Sequence, residues 1–308
     1  PLYQPAAIQL SDYWWDCLKF AFSEAKKLNI KLALHISDGF AVAGGPWITP
    51  ELSMQKLVFS ELFVKGPTNY FNKLPQPEIN ENFYKDIAVY AIPIDSTYLL
   101  TSFSIKPIVI TSIGDDASFL VEKGNKQVFK SNNPCWIQYN FEKPFTCRSI
   151  TIFNNNTNYQ SLRMTFQISD DGVNFRDYYK MIPPRHGWQD EGIRSTFSIP
   201  EVTSKYFRFV FNPEGSEPGA EDLDFAKWKP VLRVTGIELS GMPRINQFEG
   251  KSGKVWRIGE ITSKNQIPEN LCIPESKIIN ITDKFDGNLL HWSIPEGNWL
   301  ILRIGHTS

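Results

Sequence analysis

Between residues 104 and 241 the chain is written in short β-branched and aromatic runs, each closed by a turn, and that spacing constrains its fold more than any other feature. The clearest runs are 136–141, 149–153, 164–169, 206–210 and 234–239. Asp170-Asp171-Gly172 separates the third of them from Val173-Asn174-Phe175, and an Asp-Gly step between apolar runs is a hairpin signal. Many short strands at regular spacing bury a core by stacking two antiparallel layers, so a β-sandwich or jelly roll is expected here.

The start of the chain has a different grain. Trp14, Trp15, Leu18, Ala21, Phe22, Ala25 and Leu28 recur at three- and four-residue steps, which predicts an amphipathic helix over 11–28 with Ser11 as its N-cap. The bounded apolar run 30–36 then suits a buried strand of a parallel sheet. A glycine-bearing loop follows over 37–47, and Thr49-Pro50-Glu51 supplies an N-cap, a proline at the first helical position and an acid in the first turn. Strands are expected at 56–64 and 86–94, separated by a stretch carrying Pro67, Pro75 and Pro77. Composition breaks again near 243–253, with further β segments at 254–261, 277–281 and 298–304. The reading is mostly β with a short α/β part, divided as 1–103, 104–245 and 246–308.

Lys and Arg number 32 against 33 Asp and Glu, and this balance argues against a polyanionic partner such as nucleic acid. No apolar run approaches the ~18–20 residues of a membrane span, so no membrane insertion is expected. The chain opens on Pro1 and closes just after an apolar run, and it reads as an excised piece. Cys17, Cys135, Cys147 and Cys272 show no C-x-x-C spacing, which leaves zinc and dithiol chemistry unsupported. Cys17 on the helix and Cys147 on a strand are expected as small buried thiols.

Two sets of residues carry family resemblances. Trp136 to Phe145, Arg148 to Ile152, Gln167 to Phe175, Lys205 to Phe209 and Ile237 to Gly241 resemble the discoidin, or factor 5/8 type C, galactose-binding-like jelly roll over 104–241. Asp12-Tyr13-Trp14-Trp15, the block Gly44-Gly45-Pro46-Trp47-Ile48-Thr49-Pro50-Glu51, and Ile294-Pro295-Glu296-Gly297-Asn298-Trp299 with Leu302 to Gly305 are similar to bacterial glycoside hydrolase family 106, the α-L-rhamnosidases. That resemblance implies an incomplete (β/α)8 barrel segment interrupted by the sandwich. It also implies inverting cleavage of terminal rhamnose from plant polysaccharides, and a periplasmic or secreted location. It places calcium in the complete enzyme and no cofactor in this stretch. An incomplete parallel sheet would expose its edges, so either a remnant packed on the sandwich or self-association between copies is expected.

Inverting hydrolysis needs two carboxyl groups about 6.5–9.5 Å apart, and no such pair announces itself in the sequence. The catalytic glutamates of that family sit on later barrel strands, so none is assigned here. Barrel sites are built from the loops at strand C-termini, which makes His35, Asp38 and Trp47 candidates to line a sugar site. The bland alternative is a satisfied strand-end histidine and a packing tryptophan. Glu51 is more simply a helix N-terminal charge. In the sandwich, Arg185, His186 and Trp188 bring together the side chains that carbohydrate-binding modules use, against the alternative that Trp188 anchors its loop. Glu217, Glu221, Asp222 and Asp224 lack EF-hand spacing, and Asp115-Asp116-Ala117-Ser118 replaces the Asp-Gly loop that often holds calcium in discoidin modules, so no metal is assigned. A carbohydrate is the expected partner. The competing function is a stand-alone carbohydrate-binding or structural interaction module without catalysis.

Overall fold

The computed structural model describes residues 7, 8, 10–33, 47–155, 162–182, 192, 194–214, 230–252 and 267–308. The chain forms two compact units, Pro1–Ser53 and Met54–Ser308.

In the first unit, α1 spans Asp12–Lys27. The Ser11 hydroxyl accepts from the Trp14 amide, and Asp12 and Lys26–Lys27 set charges of the right sign at the two ends. Trp14, Leu18, Ala21 and Ala25 form the half-buried stripe. Cys17 sits at its edge and is exposed, contrary to the expected buried thiol. Residues 30–33 form no strand, and Ile30 and Leu32 are exposed, although 30–36 reads as a buried strand in sequence. Residues 34–36 lie outside the described residues. Pro50–Leu52 is a single 3₁₀ turn with Thr49 at its N-cap position and proline at its start.

The second unit is built from β1 (Lys56–Lys73), β2 (Lys85–Ile94), α2 (Ser102–Ile105), β3 (Ile108–Thr111), β4 (Phe129–Ser131), β5 (Cys135–Asn154), β6 (Met164–Ser169) and β7 (Arg176–Lys180). It continues with β8 (Arg194–Phe211), β9 (Leu232–Ser240), α3 (Phe248–Lys251), β10 (Ile279–Asn280) and β11 (Leu289–Thr307). Every strand pairing among the described residues is antiparallel.

One sheet has the order β1-β11-β2-β10 and joins sequence-distant segments, with Lys56 opposite Thr307 and Lys73 opposite Leu289. β1 runs beyond the expected strand 56–64 to Lys73, through Pro67 and short of Pro75 and Pro77. It can do so because the ladder shifts register between Gly66 and Thr68, where Pro67 owes no amide to its partner. Gly66 is required there, since an added Cβ would fall on the Pro295 carbonyl. The Trp299 indole donates to the same carbonyl at 3.1 Å and packs edge-on against Trp292. The Ile294–Trp299 motif is therefore the corner of a long hairpin, with Trp299 in the core of this sheet.

The sandwich expected from the sequence is present. β5 and β8 pair along their whole lengths through two irregularities. The first half of β5 also pairs with β3 and the second with β9, while β6 pairs with the later half of β8 and β7 adds beyond it. Two layers thus share their central strands and enclose one core, in which Phe166, Phe207 and Phe209 are fully buried. The turn after β6 forms as the Asp-Gly signal predicts, with Gly172 at φ +77° and the Asp171 carboxylate accepting from the Val173 and Asn174 amides. The strand that follows begins at Arg176 rather than Val173. Cys147 and Cys135 are buried free thiols, and burial pushes Cys147 up to about 12.

Candidate functional site

A cleft of about 690 Å³ opens in the second unit between the exposed face of β1 and the β5–β9 layer of the sandwich. Alternation along β1 creates one wall. Val58 faces inward and is buried, while Phe59, Glu61 and Phe63 alternate with it and point into the cleft. Thr151 and Phe153 of β5 and Glu238 and Ser240 of β9 supply the opposite wall. The segments 98–104 and 242–249 close the ends.

Both closing segments are fastened by polar contacts, some of them buried. The Leu239 amide donates to Ser102 Oγ at 3.0 Å, and Gly241 pairs with the Leu100 carbonyl at 2.9 Å. A Cβ at Gly241 would fall on the Thr97 carbonyl, so the approach demands glycine. Arg148 donates to the Gly241 carbonyl at 2.7 Å and to Glu201 at 2.6 Å. At the other end, Glu249 is only 3% exposed and accepts from the Thr196 amide at 3.0 Å and from its hydroxyl at 2.8 Å, with Arg194 Nε 3.5 Å away. Asn246 accepts from the Ser198 amide at 3.0 Å. These side chains cap the edge of β8 that no strand among the described residues covers there.

The wall between them is electrostatically live. Burial raises the Glu238 carboxyl above its ordinary value, against the opposing pull of Arg244, the Thr101 hydrogen bond, Lys123 and Arg194. Arg244 Nε is buried with no hydrogen-bond partner among the described residues. The cleft can therefore offer a half-buried carboxyl, a guanidinium donor and several aromatic rings to one ligand.

A second polar group lies on the outer face of the other layer. The Arg208 guanidinium sits 3.5 Å from the Phe175 ring centroid and 4.3 Å from that of Trp136, and its Nε and Nη2 donate to Gln138 at 3.1 and 2.6 Å. Those rings are occupied by the arginine and brace the sheet face.

Trp47 is 58% exposed, in the turn before the Pro50–Leu52 helix. His35, Asp38, Arg185, His186 and Trp188 lie outside the described residues, as do Glu217, Glu221, Asp222 and Asp224. The cleft residues escape a sequence reading because they come from separate runs. Glu238, the one acid within the run 234–239, is the signal that could have found them. Among the described residues no group of three or more His, Cys, Asp or Glu side chains is gathered as a metal site.

A family model described as alpha-L-rhamnosidase, glycoside hydrolase family 106, matches residues 5–308, and the chain belongs to that family. A solved rhamnosidase from Novosphingobium sp. PP1Y aligns over 99% of this chain and 28% of its own, with a TM-score of 0.64 and 21% identity. A protein of Formosa agariphila described as a putative beta-glucuronidase is 49% identical over 84 residues, which is 27% of this chain and 7% of that protein. The chain thus spans a small part of the length of either relative.

Proposed function

We propose that this chain is part of a bacterial glycoside hydrolase that removes terminal α-L-rhamnose from plant polysaccharides outside the cytoplasm. The observation that carries the reading is the family match over residues 5–308. On this reading residues 1–103 hold a partial (β/α)8-barrel segment and connecting strands, the sandwich of 104–245 is inserted as scaffold or accessory carbohydrate-binding domain, and 246–308 is a β-rich tail leading back to the barrel. His35, Asp38 and Trp47 are the sugar-binding candidates of the barrel segment, and Arg185, His186 and Trp188 are those of the sandwich. The exposure of Trp47 supports its role, because an indole face open to solvent can stack on a pyranose ring at little cost to folding.

Among the described carboxylates, Glu249 is held by Thr196 and Arg194 and is not free to shuttle protons. On this reading, as the family resemblance implies, the acid and base of hydrolysis come from other parts of the full-length protein. The test is release of the aryl group from an aryl α-L-rhamnoside by that full-length protein, with inversion followed by proton NMR. Release with inversion is expected, and no release from any α-L-rhamnoside overturns the reading.

A further inference from the structure

The cleft between β1 and the sandwich has a chemistry of its own. Its volume of about 690 Å³ lies in the range of small-ligand sites, roughly 300–1,000 Å³. Lys123, Arg194 and Arg244 face Glu61, Glu238 and Glu249 across it, so the formal charges cancel. Such a lining gives a net-charged ligand no field to enter by, yet offers donors and acceptors side by side. Arg244 Nε is a buried donor without a partner among the described residues, and a donor in that state is ordinarily satisfied by protein, water or ligand. Glu238 stands beside it, its carboxyl raised by burial, as an acceptor in the same wall. Phe59 and Phe63 present partly exposed ring faces from β1, and Phe248 stands edge-on to Phe59 at 5.8 Å between centroids.

A pyranose ring has one apolar C–H face and a rim of hydroxyls that both donate and accept. We propose that this cleft is a binding site for a neutral pyranose residue, its C–H face on Phe59 or Phe63 and its hydroxyls on Arg244 and Glu238. Binding here is separate from hydrolysis. It needs neither a catalytic carboxyl pair nor Trp47, and it holds whichever glycan the full-length protein cleaves.

The experiment is saturation-transfer NMR and calorimetry on the 308-residue chain with methyl α-L-rhamnopyranoside, methyl β-D-galactopyranoside, methyl β-D-glucopyranoside and, as the charged counterpart, methyl α-D-galacturonate. Saturable binding of at least one neutral glycoside is expected, and binding of the galacturonate at least tenfold weaker. Glu238→Gln, which keeps the side-chain shape, and Arg244→Met should each raise the Kd at least tenfold, about 1.4 kcal/mol, with the melting temperature of Glu238→Gln unchanged. Phe59→Ala, on a partly exposed position, gives the same readout if Arg244→Met fails to fold. No saturable binding, preference for the galacturonate, or binding indifferent to Glu238→Gln and Phe59→Ala overturns the proposal. Loss of rhamnoside hydrolysis in the full-length protein with cleft binding intact would overturn the hydrolase reading alone.

Discussion

Arg303 and Asp86 meet in a two-point ion pair, Nε to Oδ1 at 2.7 Å and Nη2 to Oδ2 at 2.8 Å, across the neighbouring strands β11 and β2. The Tyr84 hydroxyl donates to the same carboxylate at 2.7 Å, and the guanidinium lies over the rings of Phe285 and Tyr84 at 4.7 and 5.3 Å. The Arg303 side chain is only 7% exposed, so the carboxylate is what keeps this charge inside the sheet.

Asp86→Asn should therefore destabilise the chain by about 1–3 kcal/mol, the usual cost of a lost hydrogen bond to a buried charge, read by urea unfolding. Burial works to raise the Asp86 carboxyl, but the hydrogen bonds from Arg303 and Tyr84 and the Arg303 charge outweigh it and hold the group below its ordinary 3.8. A carboxyl lowered in the folded state contributes stability that is present above pH 3.8 and is lost as pH falls through the folded value. Wild type should lose part of its stability below pH 4, and Asp86→Asn should lose less over the same interval. Parallel acid profiles for the two proteins would contradict this.

Gly241→Ala is expected to cost more than the ordinary exchange of glycine for alanine. The new methyl has a backbone carbonyl, that of Thr97, in its way rather than a side chain that can swing aside. The segment carrying Tyr98, Thr101 and Phe103 must then move from the wall of the cleft. A fall in melting temperature together with loosened amide protection at Leu239 and Gly241 is the expected result, and an unchanged melt would show that the segment yields freely.

Glu249→Ala removes the acceptor for both the amide and hydroxyl of Thr196 and uncovers an edge of β8. Leaving a buried amide unsatisfied costs about 1–3 kcal/mol. Thermal or urea unfolding should show that loss, and Glu249→Gln, which retains one acceptor oxygen, should recover part of it.

Cysteine labelling separates the thiols by burial. Cys17 and Cys272 are exposed and should react with a maleimide in the native chain, while Cys135 and Cys147 should react only after denaturation. Burial raises both of the latter thiols, which lowers their thiolate fraction further. Rapid native labelling of Cys147 would contradict the closed core around β5.

Trp47→Ala should leave stability nearly unchanged, because the side chain is largely in solvent. On the proposed hydrolase reading it should raise KM for rhamnosides in the full-length protein. Unchanged kinetics would remove Trp47 from the sugar site.

Local pattern by itself determined the helix at Asp12–Lys27 and its Ser11 cap, the turn at Asp171-Gly172 and the strand runs of the sandwich, because these depend on period, capping and turn chemistry within a few residues. The motifs also carried the family membership. Strand partners were not legible. β1 and β11 lie more than two hundred residues apart, and their pairing rests on a ladder and a shared core rather than on any local signal. The run from residue 30 shows the same limit from the other side, since apolar composition alone does not make a strand where the described residues supply no partner. Arg303 reads as one charge in an apolar run, and only the fold brings the Asp86 carboxylate to it from the neighbouring strand. The cleft is likewise a tertiary product, since Phe59, Glu238 and Arg244 belong to distant stretches and converge only when β1 packs beside the sandwich. Sequence fixes what each residue can do locally, but burial and neighbours set the energy of a charge or ring, and those exist only once the chain has folded.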